Sequence, residues 1–187
     1  MPEIDPCLAD EEFIRARAGE HAAFAALVRG HQRLVYGIAL RMLTDRALAE
    51  DLSQEVFLQL HQGLRAIESA SHLVFWLRRV TVHRAIDRLR QRQGVEWAPL
   101  EAADRLAAAP AGDDPLLSSR LEGLVRQLAP VPRAVLLLRY QEDLDPTEIA
   151  HTLDMPVNTV KSHLKRSLAT LRLQLCGDTP DAKVVAP

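Results

Sequence analysis

The amino-acid sequence predicts an all-α protein: two small helical domains joined by a flexible acidic linker, the second containing a helix-turn-helix. Three observations carry this. Apolar residues recur at three- and four-residue intervals through residues 10–92 and again through 116–175. The stretch between them, QGVEWAPLEAADRLAAAPAGDDP, holds Pro99, Pro110 and Pro115 and more acids than bases, the composition of a tether. Aromatic residues make up only 4% of the chain, so the core must be filled by Leu, Ala, Val and Ile, which suit helix packing better than a sandwich of strands. The expected division is a first domain over 1–92, a linker over 93–115, a second domain over 116–175, and a tail over 176–187 with too little apolar content to order by itself.

In the first block Asp10 can cap a helix whose apolar stripe begins at Phe13 and Ile14. Gly19 breaks it, and Phe24, Leu27 and Val28 continue the stripe beyond. Leu34, Val35, Ile38, Ala39 and Met42 give a second 3.6-residue pattern, and Leu48, Leu52, Val56 and Leu60 mark a third helix. GLRAIESAS after His61 is too polar and irregular to pack and reads as a loop. A further helix follows from about Leu73 to Arg92, with Leu73, Leu77 and Val80 on one side.

In the second block Asp145 can cap, Pro146 suits the first helical position, and Glu148 completes a capping box. Ile149, Ala150 and Leu153 form the buried face of this helix, Asp154 and Met155 lie in the turn, and Val160, Leu164, Leu168 and Leu171 form the stripe of the next. The opposite face of that last helix carries Asn158, Lys161, Ser162, Lys165 and Arg166. These side chains can donate to phosphates and base edges, and the second helix of a helix-turn-helix offers its N-terminal residues to the major groove. A solvated basic face on an ordinary helix pair is the plainer reading; the capped first helix, short turn and basic leading edge together favour DNA.

The net charge of -2 conceals a segregation of charge. The helix WLRRVTVHRAIDRLRQR carries Arg78, Arg79, Arg84, Arg88, Arg90 and Arg92 against the single acid Asp87. Arg79, His83, Asp87 and Arg90 share one face, and Trp76 can either fill the core, its commoner use, or stack on a base. The preceding helix is opposite in character: Asp51, Gln54, Glu55 and Leu58 project together, and the two carboxylates repel with no local cation to relieve them. A docking surface fits that pattern better than catalysis or metal binding, because no third ligand or nucleophile accompanies the pair, and a solvated acidic face is the plainer alternative.

Cys7 and Cys176 lie near opposite ends with no CxxC, so neither a zinc site nor a disulfide framework is expected. The N-terminus lacks a basic flank and an apolar stretch, and no run of about 18 apolar residues occurs, so a soluble cytoplasmic protein is expected without membrane insertion. No catalytic residue, metal site, cofactor or small-molecule substrate is assigned. An enzyme acting on nucleic acid would need a ligand cluster, a nucleophile-base pair or a phosphate-cradling loop.

In order, these segments resemble the extracytoplasmic-function sigma factors of the sigma-70 family of bacterial RNA polymerase. The similarity spans nearly the whole chain: Gly19, Glu20, Ala23 and Phe24; an AEDLxQEVFL signature from Ala49 to Leu58; a WLxxxAxNxxxDxxR-like helix with Trp76, Leu77, Asp87 and Arg90; and an EIAxxLxxPxxTVKSxLxRxxxxLR helix-turn-helix from Glu148 to Arg172. The resemblance implies that Asp51, Gln54, Glu55 and Leu58 dock on core RNA polymerase. It implies that Trp76, Arg79, His83, Arg84, Asp87, Arg88 and Arg90 bind and help open the promoter's -10 element. It implies that Asn158, Thr159, Lys161, Ser162, Lys165 and Arg166 read the -35 element, and that an anti-sigma factor holds the protein inactive. His83 stands where relatives usually have Asn, Asn158 where Gly is common and His163 where Arg is common, so base preference does not carry over. A stand-alone transcriptional regulator is the competing reading, but it has no need of the acidic pattern on the third helix.

Overall fold

The computed structural model describes residues 6–93 and 115–176. The linker expected over 93–115 and the tail over 176–187 fall almost wholly outside these residues. The described chain is helical, with no strand: α1 Pro6–Arg17, α2 His21–Leu43, α3 Arg46–Gly63, a 3₁₀ turn Leu64–Ala66, α4 Ala70–Gln93, α5 Pro115–Gln127, α6 Pro130–Tyr140, α7 Pro146–Leu153 and α8 Val157–Cys176. The chain divides into two compact units between Gln91 and Arg92, with His151–Asp154 grouped with the first.

In the first unit, α1 stops where Gly19 takes φ +96°, a conformation that costs a residue without a Cβ little. The Glu20 amide then bonds the Arg15 carbonyl at 3.1 Å, closing the helix end. Asp10 lies inside α1, which already begins at Pro6, and so does not cap it. Phe13 and Ala16 are buried while Ile14 is 64% exposed, so the stripe runs through i and i+3 rather than through both expected residues. A single long α2 carries both apolar sets, and Leu27, Val35, Ile38, Ala39 and Met42 are buried along it. Thr44 ends α2 at φ 58°, and the next residue, Asp45, caps α3 by accepting from the Leu48 amide at 3.1 Å. Leu52, Val56 and Leu60 of α3 and Leu73, Leu77, Val82 and Ala85 of α4 are fully or almost fully buried. Each of these leucines and valines contributes about 1.5–3 kcal/mol of burial free energy.

The segment after His61 does pack, contrary to the loop expected there. Leu64 and Ile67 are buried at 4% and 2% exposure, and Ser69 caps α4 by accepting from the His72 amide at 3.1 Å. Two apolar residues three apart were enough to seat this short connection, despite its polar neighbours.

In the second unit α6 is the central element: Ala134 through Leu138 are all buried. Arg133 is buried beside them and donates to the Leu128 carbonyl at 3.5 Å; burial first, then the nearby Arg126 charge, pushes its pKa down. Helix α5 lies against α8, where Arg120 donates to the Gln174 carbonyl at 2.9 Å.

Candidate nucleic-acid interface

The helix-turn-helix is fixed by its ends. Asp145 Oδ1 accepts from the Thr147 and Glu148 amides at 2.6 and 2.9 Å, and Glu148 Oε2 accepts from the Asp145 amide at 2.7 Å. This is the reciprocal capping box expected from the sequence. The Glu148 and Thr147 amides stabilise the carboxylate and hold the Asp145 pKa below the usual range. At the other end of α7, Asp154 takes φ 51° and the Met155 amide bonds the Ala150 carbonyl at 3.1 Å. That left-handed closure turns the chain, and Pro156 then starts the next helix, its carbonyl accepting from the Thr159 and Val160 amides at 2.9 and 3.2 Å.

The buried side of the pair holds Ile149, Ala150, Leu153, Val160 and Leu171. Leu164 and Leu168 are only half-buried, and Ser167, unmarked by the apolar pattern, is buried with them. On the other side Asn158, Lys161, Ser162, Lys165 and Arg166 are exposed. Asn158, Thr159, Ser162, His163 and Arg166 lie together on one open surface of α8, which places His163 beside the expected residues. The Ser162 hydroxyl donates to the Asn158 carbonyl at 2.9 Å, leaving its oxygen lone pairs to accept from a ligand.

On α3 the exposed side bears Asp51, Gln54, Glu55 and Leu58, and Leu58 stays 64% exposed in the middle of that polar face. The expectation that these carboxylates have no local cation is corrected. Glu55 pairs with Arg88 at 2.6 Å and lies 3.8 Å from Arg84. Both cations come from α4, so helix periodicity within α3 could not reveal them. Arg88 also donates to the Leu48 carbonyl at 2.8 Å, and Arg84 donates through Nε and Nη2 to Gln59 Oε1 at 3.1 and 2.9 Å. Two of the expected -10 arginines thus point at α3. Asp87 and Arg90 are exposed and approach each other at 4.0 Å across one turn, and Trp76 is half-buried. Among the described residues no three His, Cys, Asp or Glu side chains gather as a metal site would require.

An acidic helix, an arginine-rich helix and a capped helix-turn-helix define a two-module helical protein of the DNA-binding class. The Sigma-70 region 2 model matches residues 27–95 and the Sigma-70 region 4 model matches 118–171. The ECF RNA polymerase sigma factor SigW of Bacillus subtilis is 28% identical over 174 residues, covering 86% of this chain and 93% of that protein. The RNA polymerase sigma-E factor of Streptomyces coelicolor is 30% identical over 167 residues, covering 89% and 94%. In fold, the chain is similar to the sigma factor RpoE in its co-crystal with the anti-sigma factor NepR from Bartonella quintana: TM-score 0.65, 19% identity, 83% of this chain and 98% of that one. The chain belongs to the extracytoplasmic-function group of the sigma-70 family.

Proposed function

We propose that this sigma factor binds core RNA polymerase through α3 and directs it to promoters, with α4 engaging the -10 element and α8 the -35 element. The observation that carries the reading is the separation of surfaces: Asp51, Gln54, Glu55 and Leu58 form an acidic face with an exposed leucine, while Lys161, Lys165 and Arg166 lie exposed on another helix. Acidic residues around an exposed apolar side chain suit a basic protein surface, where burial of Leu58 supplies affinity and the charges supply orientation. The -35 contacts are assigned to Asn158, Thr159, Lys161, Ser162, Lys165 and Arg166, and His163 joins them on the same open surface of α8. The -10 contacts are assigned to Trp76, Arg79, His83, Asp87 and Arg90, along one side of α4.

The expected domain limits of 1–92 and 116–175, with a proline-bearing sequence between them, fit two weak DNA contacts acting together, since holding both on one polymerase raises their effective concentration. Control by an anti-sigma factor belongs to the same reading; the fold relative from Bartonella quintana is held in such a complex. The protein acts in the cytoplasm with no covalent chemistry of its own, and no helix among the described residues is long and apolar enough to cross a membrane. Gel filtration of the chain with purified core RNA polymerase tests the proposal: co-elution is expected, and separate elution at micromolar concentrations would overturn it.

A further inference from the structure

We propose that Arg88 is a positioning residue of the polymerase-docking face, not a DNA contact. The inference rests on the reading of α3 as that face. Arg88 spans two acceptors on α3, the Leu48 carbonyl at 2.8 Å and Glu55 Oε1 at 2.6 Å, and its side chain is only 21% exposed. With two of its five N–H donors held on α3 and little of the side chain exposed, Arg88 presents a reduced fork to any phosphate. The Glu55 carboxylate, by contrast, stays 47% exposed, so a single Oε1 contact orients it without covering it.

Arg84 reinforces the arrangement one turn earlier on α4. It grips Gln59 Oε1 with two nitrogens and stands 3.8 Å from Glu55 Oε2. The two arginines therefore brace α3 from behind and fix the rotamer of the carboxylate that meets the polymerase. Preorganisation of this kind reduces the side-chain ordering that docking would otherwise require. It also offsets the repulsion between Asp51 and Glu55, which stand four residues apart on the exposed side of α3.

The test is a double-mutant cycle on binding to core RNA polymerase, using the full chain. Arg88→Gln is expected to weaken binding roughly tenfold when Glu55 is present, and less than about twofold in the Glu55→Gln background, because its effect passes through Glu55. Where Arg88→Gln melts below the assay temperature, Arg88→Lys carries the same cycle with a loss of about threefold, since an ammonium keeps the charge but not the fork. Assembled with saturating core enzyme, the Arg88 variants are expected to keep the wild-type salt dependence on a single-stranded -10 oligonucleotide. An additive cycle overturns the assignment. So does a slope of log K against log salt that falls by about 0.7, the mark of a lost single-strand phosphate contact. A wild-type chain that does not bind core enzyme refutes the docking reading itself, before any variant is compared.

Discussion

Replacing Lys161 and Arg166 together with alanine removes two exposed cations from the recognition helix without touching the buried side formed by Val160 and Leu171. Each phosphate contact on duplex DNA contributes about 0.9 to the slope of log K against log salt, so the double variant should lose about 1.8. Between 50 and 200 mM salt the logarithm of concentration changes by about 0.6, so wild-type affinity should fall roughly twelvefold more than that of the variant. The variant thus binds much more weakly at low salt, and the gap narrows as salt rises. Fluorescence anisotropy with a labelled -35 duplex reads this directly, and circular dichroism confirms that both proteins are folded. Parallel salt slopes for the two proteins would show that this face does not meet the DNA backbone.

Asp51→Arg with Glu55→Arg should abolish co-elution with core RNA polymerase while -35 duplex binding survives; retained co-elution would refute the docking face. Leu138→Ala opens a cavity at a fully buried position of α6 and should cost about 2–5 kcal/mol, enough to unfold a small helical unit and remove -35 binding. Unchanged thermal melting and unchanged DNA binding would contradict the packing of α6. Asp145 has a folded pKa below its unfolded value, so its stabilising effect is complete above about pH 4 and is lost as pH falls through the lower folded value. The melting-temperature gap between wild type and Asp145→Ala should therefore be wide at about pH 6 and narrow as pH falls below about 4; a gap independent of pH would exclude the charged cap.

Local features were legible in the sequence because their partners lie within one helical turn. The Asp145–Glu148 capping box, the break at Gly19 and the stripe Leu52–Val56–Leu60 all arise from residues no more than four apart, and each was found where the spacing put it. Spacing is a poor guide where neighbours in space are distant in sequence or where one step round a helix separates core from solvent. Glu55 meets Arg88 across 33 residues, a pairing to which periodicity is blind. Ile14 carries an apolar side chain but sits one step round the helix from the buried Phe13. Leu64 and Ile67 pack because the path from α3 to α4 brings them inward, which their polar surroundings hide. Arg133 and Ser167 are buried polar residues, and an apolar pattern has no means of marking them. The exposed acidic face of α3 and the exposed basic face of α8 were legible because exposed charge departs from the apolar stripe on its own helix.

Run-off transcription from a promoter library with purified core RNA polymerase tests most directly whether this chain selects start sites. Adding the wild-type chain should yield discrete transcripts from templates that share paired -35 and -10 sequences, and the Asp51→Arg, Glu55→Arg chain should yield none. Transcripts that are the same with and without the wild-type chain would contradict the account.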